Sequence, residues 1–259
     1  MPVHLECIDK IAVIRFDNPP ANSLSETVLK ELRCKLEVIQ TKITAGEVIV
    51  LVITGTGPKF FIAGADISRF PELDSTGGYE LAREGQVIFE ELSCLPCVTI
   101  AAINGYALGG GMELALACDV RLASANAQLG QPEINLGLIP GYGGTQRLTR
   151  LVGPGIAKEL IFTGKNISAT EAMRIGIINQ VVAEGDVLEE ALQLAKSIAG
   201  KPPLALRAAK DAIDKGLEMT LTKGIEAEAK YFGDLFLTED QKEGARAFLE
   251  KRKPLFRGI

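Results

Sequence analysis

The sequence predicts an α/β fold in which short buried strands alternate with amphipathic helices. Three observations carry that expectation. Val48 to Thr54 reads VIVLVIT, an unbroken apolar run of the kind found in parallel strands covered on both faces. Cys97 to Ile103 is a second such run, short and partly β-branched. Elsewhere apolar residues recur at helical spacing, as Val28, Leu32, Leu36 and Ile39 do. Strands alternating with helices favour parallel pairing through right-handed crossovers.

Taken in order, residues 3–17 alternate loosely and end in a strand, Ile11 to Phe16, which Asn18-Pro19-Pro20 breaks. Ser23 with Glu26 reads as a capping box opening the first helix. After the strand at 48–54, Gly55-Thr56-Gly57-Pro58 turns the chain into Phe60–Asp66, an apolar segment closing on small residues. Small residues around Ala63 would let a ligand reach a main-chain N–H. Residues 70–78 read as a loop, and a helix from Tyr79 to Leu92 should turn Leu81, Val87 or Ile88, and Leu92 inward. Val120–Ala123 is another strand, and from about Gly153 the pattern becomes helical. Ser168 with Glu171 and Thr238 with Gln241 cap two later helices, Gly176 fits a helix stop, and Pro202-Pro203 separates two more. A shift in composition near 195–205 divides a core of residues 1–198 from a helical region of residues 199–259.

The composition excludes several classes. A net charge of −5 and the absence of Trp argue against nucleic acid, whose binders carry a basic stripe. No apolar run approaches the roughly 20 residues needed to cross a bilayer, and Met1–Lys10 has no signal-peptide core, so a cytoplasmic protein is expected. Cys94 and Cys97 form a CxxC, but with His4 the sole histidine there is no second pair of zinc ligands. The five cysteines read as reduced thiols.

The chemistry concentrates between Asn104 and Thr145. Glu113 follows Gly109-Gly110-Gly111 and precedes Leu114-Ala115-Leu116-Ala117, which places it in the first turn of an apolar helix after the strand at 97–103. A carboxylate there can simply satisfy local N–H groups. Three glycines, however, suit a close approach of backbone or ligand, and N–H groups at a helix start suit an oxyanion. Glu133 follows Pro132, and Ile139–Thr145 is a glycine-rich loop leading into a helix. That loop lacks the Gly-Lys-Ser/Thr of a P-loop, and Gln146 stands where a dinucleotide fingerprint needs its third glycine.

Phe61-Ile62-Ala63-Gly64-Ala65-Asp66, Asn104–Leu114 and Pro132–Pro140, in this order and at this spacing, resemble the crotonase (enoyl-CoA hydratase/isomerase) superfamily over essentially the full length. The resemblance implies a ββα superhelix with two stacked sheets and a C-terminal helical region that builds a homotrimer or a homohexamer as a dimer of trimers. It implies an acyl-CoA substrate, with coenzyme A part of that substrate and no other cofactor or metal. By the same resemblance Glu113 and Glu133 are the two acids of a hydratase, and the N–H groups of Ala63 and Gly110 form its oxyanion hole. Ala21, Gly64, Ala65, Asp66, Gly109 and Tyr142 would border the substrate, and Lys253 in the tail Lys251-Arg252-Lys253 would meet the phosphates of CoA. Two acids favour hydration over the one-acid isomerases of the family. Hydrolase and decarboxylase chemistry are further alternatives, and a non-catalytic assembly or RNA-binding role is disfavoured by the negative charge. Phe232, Leu235, Phe236 and Phe248 are the expected subunit-contact residues.

Overall fold

The computed structural model describes residues 1–259. The chain opens with a hairpin, β1 (Val3–Ile8) and β2 (Ile11–Phe16), closed by Asp9 and Lys10, both at positive φ as a tight two-residue turn requires. The first helix, α1 (Glu26–Thr44), buries Val28, Leu32, Leu36 and Ile39 as its stripe predicts. Its cap is Ser25, which accepts from Val28 N at 3.3 Å, and not Ser23. The reason is tertiary: Leu24 is still extended, its N–H bonded to Gly64 O and its carbonyl to Asp66 N.

From there each turn of the chain gives one strand to each of two sheets and then a helix. β3 (Val50–Gly55) is followed by β4 (Phe60–Ile62) and α2 (Ser75–Ser93). β5 (Val98–Ile103) is followed by β6 (Tyr106–Leu108) and α3 (Gly110–Leu116). β7 (Val120–Ser124) is followed by β8 (Gln128–Gly130), a 3-10 turn at Pro132–Leu136 and α4 (Gly144–Thr163). The first sheet runs β1-β2-β3-β5-β7, with Gln180–Val182 (β10) added beside β7, and is parallel from β2 onward; the second runs β4-β6-β8, with Asn166–Ser168 (β9) beside β8. This is the expected ββα superhelix.

Three expectations need correction. Residues 75–78 are not loop: Asp74 accepts from Gly77 N at 2.8 Å and starts α2 four residues early, despite two glycines in its first turn. The strand at 98–103 does not lead straight into the glycines, because β6 intervenes and belongs to the other sheet. Strands also persist beyond Gly153, as β9 (Asn166–Ser168) and β10 (Gln180–Val182), on either side of α5 (Ala169–Arg174). Each has three residues, too few to show a period.

The main core is a cluster of 42 buried residues between the two sheets and the helices around them. A smaller cluster on the outer face of the first sheet is covered by α6 (Val187–Ala199) through Val187, Ala191 and Ala195. The last three helices, α7 (Pro203–Gly216), α8 (Leu221–Leu235) and α9 (Glu239–Leu249), behave differently. Phe232, Phe236 and Phe248 are 65%, 52% and 83% exposed, with Leu217 and Leu221 more than three quarters exposed. No helix is long and apolar enough to cross a membrane.

Candidate active site

Two side chains place the backbone of β4 before any functional group is considered. Asn22 Nδ2 donates to Phe60 O and Phe61 O, and Asn104 Nδ2 donates to Phe60 O while its Oδ1 accepts from Gly55 N. The start of α3 then lies directly on β4. A Cβ at Gly111 would stand 2.1 Å from Ile62 O, so only glycine permits the approach. Gly109, with φ 50 and ψ −122, makes the reversal into the helix.

All of α3 is buried, and with it Glu113, only 2% exposed. Its carboxylate does not cap its own helix. Oε1 accepts from Tyr142 N and Gly144 N, each at 2.7 Å, where the glycine-rich loop enters α4. Oε2 carries no protein hydrogen bond. Burial pushes the carboxyl up to about 7; the Gly144 N–H opposes this, and the nearby Glu133 adds to it. Glu133 sits on the 3-10 turn, half-buried, and burial raises its pKa too.

The two acids meet around small residues. A Cβ at Gly109 would stand 2.9 Å from Glu133 Oε1, and one at Gly144 would stand 2.9 Å from Glu113 Oε1. Gln131, wholly buried, lies between them. With its amide nitrogen turned to Glu133 it donates to both carboxylate oxygens, at 3.0 and 3.1 Å. Gln131 was not among the expected site residues; its place two residues before Glu133, at the start of the 3-10 turn, was the available signal. Arg147, also unanticipated, donates to Tyr142 O at 3.1 Å and adds a positive charge behind Glu113.

One expected donor is already engaged. The N–H of Ala63 donates to Ala21 O at 3.1 Å and is not free for an oxyanion. Ala65 is free. Gly64 O and Asp66 N both bond to Leu24, so Ala65 between them turns its own N–H to the opposite side, and that N–H meets no protein acceptor. On that side the Cα of Gly64 would be 3.8 Å from a Cβ on Gly109. Gly110 is the first residue of α3, and its N–H is likewise without a protein partner. The free N–H pair is therefore Ala65 and Gly110.

The remaining residues divide. Tyr142 holds Glu113, Gly109 lies against Glu133 with Gly64 beside it, and Gly110 lies under the Tyr142 ring; Ala21 is tied to this group through the Ala63 N–H. Asp66 is exposed at the rim, and its bond from Ser68 N at 3.0 Å holds its pKa down. Lys253 stands apart. Its tail is pinned to α9, with Arg257 N and Gly258 N on the buried Asp240 and Leu255 N on Glu243, so nothing within one chain ties it to the glutamates. Arg252 is paired with Glu243 and Glu250, which leaves Lys251 and Lys253 as the unpaired cations of the cluster. The CxxC thiols are not reactive as a pair, because burial pushes Cys97 up to about 12 while Cys94 lies exposed.

Two acids of raised pKa beside two unengaged N–H groups form an arrangement for moving protons next to a developing oxyanion. The likeness to known proteins extends over nearly the whole chain. A short-chain-enoyl-CoA hydratase of Clostridium acetobutylicum is 44% identical over 252 residues, covering 97% of this chain and 95% of the relative. A crotonyl-CoA hydratase of Syntrophomonas wolfei is also 44% identical, over 97% of this chain and 96% of its own. The crystal structure of an enoyl-CoA hydratase from Bacillus anthracis superposes with a TM-score of 0.95 at 39% identity, covering both chains fully. Residues 6–258 match the family model described as enoyl-CoA hydratase/isomerase, so the chain belongs to that family, within the crotonase superfamily.

Proposed function

We propose that the chain is an enoyl-CoA hydratase, adding water across the 2,3 double bond of an enoyl-CoA thioester to give a 3-hydroxyacyl-CoA. The observation that carries this is the buried Glu113, with its pKa near 7 and one oxygen free, facing the neighbourhood of a second acid. The thioester oxygen is received by the N–H groups of Ala65 and Gly110. Each such donor is worth about 3–4 kcal/mol to a transition state that builds enolate charge. The acyl double bond lies between the carboxyl groups. Glu113 takes a proton from water, the water oxygen bonds to C3, and the electron pair moves through C2 to the thioester oxygen. Glu133 then gives its proton to C2 as the carbonyl reforms. The Tyr142 and Gly144 N–H groups hold Glu113 Oε1, which leaves Oε2 for the water. Every step is a proton transfer or an addition, so the proposed chemistry calls on no redox group or metal.

The exposed Phe232, Phe236 and Phe248 support a homo-oligomer built on trimers, in which a neighbour's tail would bring Lys253 to the CoA phosphates. The named relatives support a short enoyl-CoA substrate, and fatty acid oxidation or related acyl-CoA metabolism as its setting. The five free cysteines support a cytosolic location. The test is the purified enzyme with crotonyl-CoA, following loss of the enoyl-thioester chromophore and formation of 3-hydroxybutyryl-CoA. Conversion of a 3-enoyl thioester to its 2-enoyl isomer, without water uptake from the 2-enoyl substrate, would place the chain among the isomerases instead.

A further inference from the structure

Tyr142 enters the site twice. Its N–H holds Glu113 Oε1, and its ring lies on Gly110, where a Cβ would stand 3.3 Å from the nearest ring carbon. On its far side the ring is seated in α2. A Cβ at Gly85 would fall 2.3, 2.5 and 2.6 Å from three ring carbons, and Phe89 meets the ring edge-on at 5.6 Å between centroids. Gln86 Nε2 fastens the same loop to α2 by donating to Gly141 O at 2.8 Å. A glycine inside a 19-residue helix destabilises it relative to alanine. Gly85 makes room for an aromatic ring that could not otherwise be there. The Tyr142 hydroxyl is buried and has no hydrogen-bond partner.

We propose that Tyr142, seated on Gly85, closes the acyl end of the site and restricts the enzyme to short-chain enoyl thioesters. The inference rests on the hydratase reading. With the thioester oxygen at Ala65 and Gly110 and the double bond between the glutamates, the carbons beyond C3 leave past Glu113 Oε1. The Tyr142 N–H and ring stand there. The ring cannot retreat, because the α2 backbone at Gly85 and the Phe89 ring fill the space behind it.

The test compares kcat/KM for crotonyl-CoA and 2-decenoyl-CoA. Wild type should prefer crotonyl-CoA by on the order of 100-fold, and Tyr142→Ala should reduce that ratio at least tenfold. Tyr142→Phe should hold the ratio within about threefold, since the ring is the stop. Gly85→Ala should drive the ring toward the substrate and raise KM for both thioesters. If Tyr142→Ala loses turnover, its affinities for butyryl-CoA and decanoyl-CoA give the same comparison. An unchanged ratio in Tyr142→Ala, equal loosening in Tyr142→Phe, or wild-type KM values in Gly85→Ala would each overturn the inference. A wild type that hydrates both thioesters equally well would overturn it while leaving the hydratase reading intact; one that hydrates neither removes the hydratase reading itself.

Discussion

Glu113 and Glu133 are the same side chain in two environments. Glu113 sits on a fully buried helix, and its partners come from a loop 29 and 31 residues further along the chain. Glu133 sits half-buried on a largely exposed 3-10 turn, and its partner is Gln131, two residues before it. The first environment is built by the fold, the second mainly by local sequence. Burial raises both pKa values, and main-chain N–H groups oppose the rise in each: those of the distant Tyr142 and Gly144 at Glu113, but only its own at Glu133. The pair can therefore hold one proton between them near neutral pH, and the titration belongs to both.

The largest expected effect breaks the pair outright. Glu113→Gln and Glu133→Gln should each lose at least about 10²-fold in kcat, and the double variant should fall far short of the product of the two losses. A Glu133→Gln enzyme hydrating at close to the wild-type rate would show that Glu113 works alone.

Stability should separate the two acids next. Glu113 has an ordinary value of 4.5 when unfolded and about 7 when folded, so the folded state binds more protons between those limits. Stability should then fall as pH rises through that window, by about 3 kcal/mol for a shift of this size, and stay at the lower level above it. Glu113→Gln keeps an oxygen for Tyr142 N and Gly144 N but has nothing to ionise. Denaturant titration should find it more stable than wild type at pH 8 and close to wild type at pH 4. The same gain in Glu133→Gln would mean that the contrast in environments has no energetic consequence.

Gln131→Leu tests the local side of the comparison. Losing donors to an ionised Glu133 should cost about tenfold in kcat and raise the pKa of the pair. Rescue by Gln131→Asn is not expected, because the shorter side chain withdraws its nitrogen from the carboxylate. The smallest effect is on the pH profile. Base catalysis needs Glu113 ionised, so kcat/KM should decline as pH falls through about 7. Residual activity in Glu133→Gln should decline at a lower pH, since the like charge that raises Glu113 is gone. A midpoint that stays in place would mean that the two acids do not sense each other.

Much of the molecule was legible in the chain because its signals are local. The stripe of α1, the apolar run of β3 and the caps at Ser168 and Thr238 each depend on residues within one or two turns, and the structure has all of them. The three motifs carrying the glutamates, Ala65 and Gly110 were also plain, and so was the family. Tertiary contact decided the rest. The helix cap moved from Ser23 to Ser25 because Leu24 is paired with the Gly64–Asp66 segment, some forty residues away. β9 and β10 exist because β8 and β7 offer them edges, not because three residues announce a strand. The Ala21 carbonyl ties up the Ala63 N–H while the bridge to Leu24 leaves that of Ala65 free, a difference of two residues that small-residue composition cannot resolve. Periodicity thus determined the α/β class, and the glycine-bearing motifs marked the candidate acids, since both follow from neighbouring residues. Which N–H groups stay free, what holds each carboxylate and how far burial lifts Glu113 depend on residues distant in sequence, and only folding brings these together.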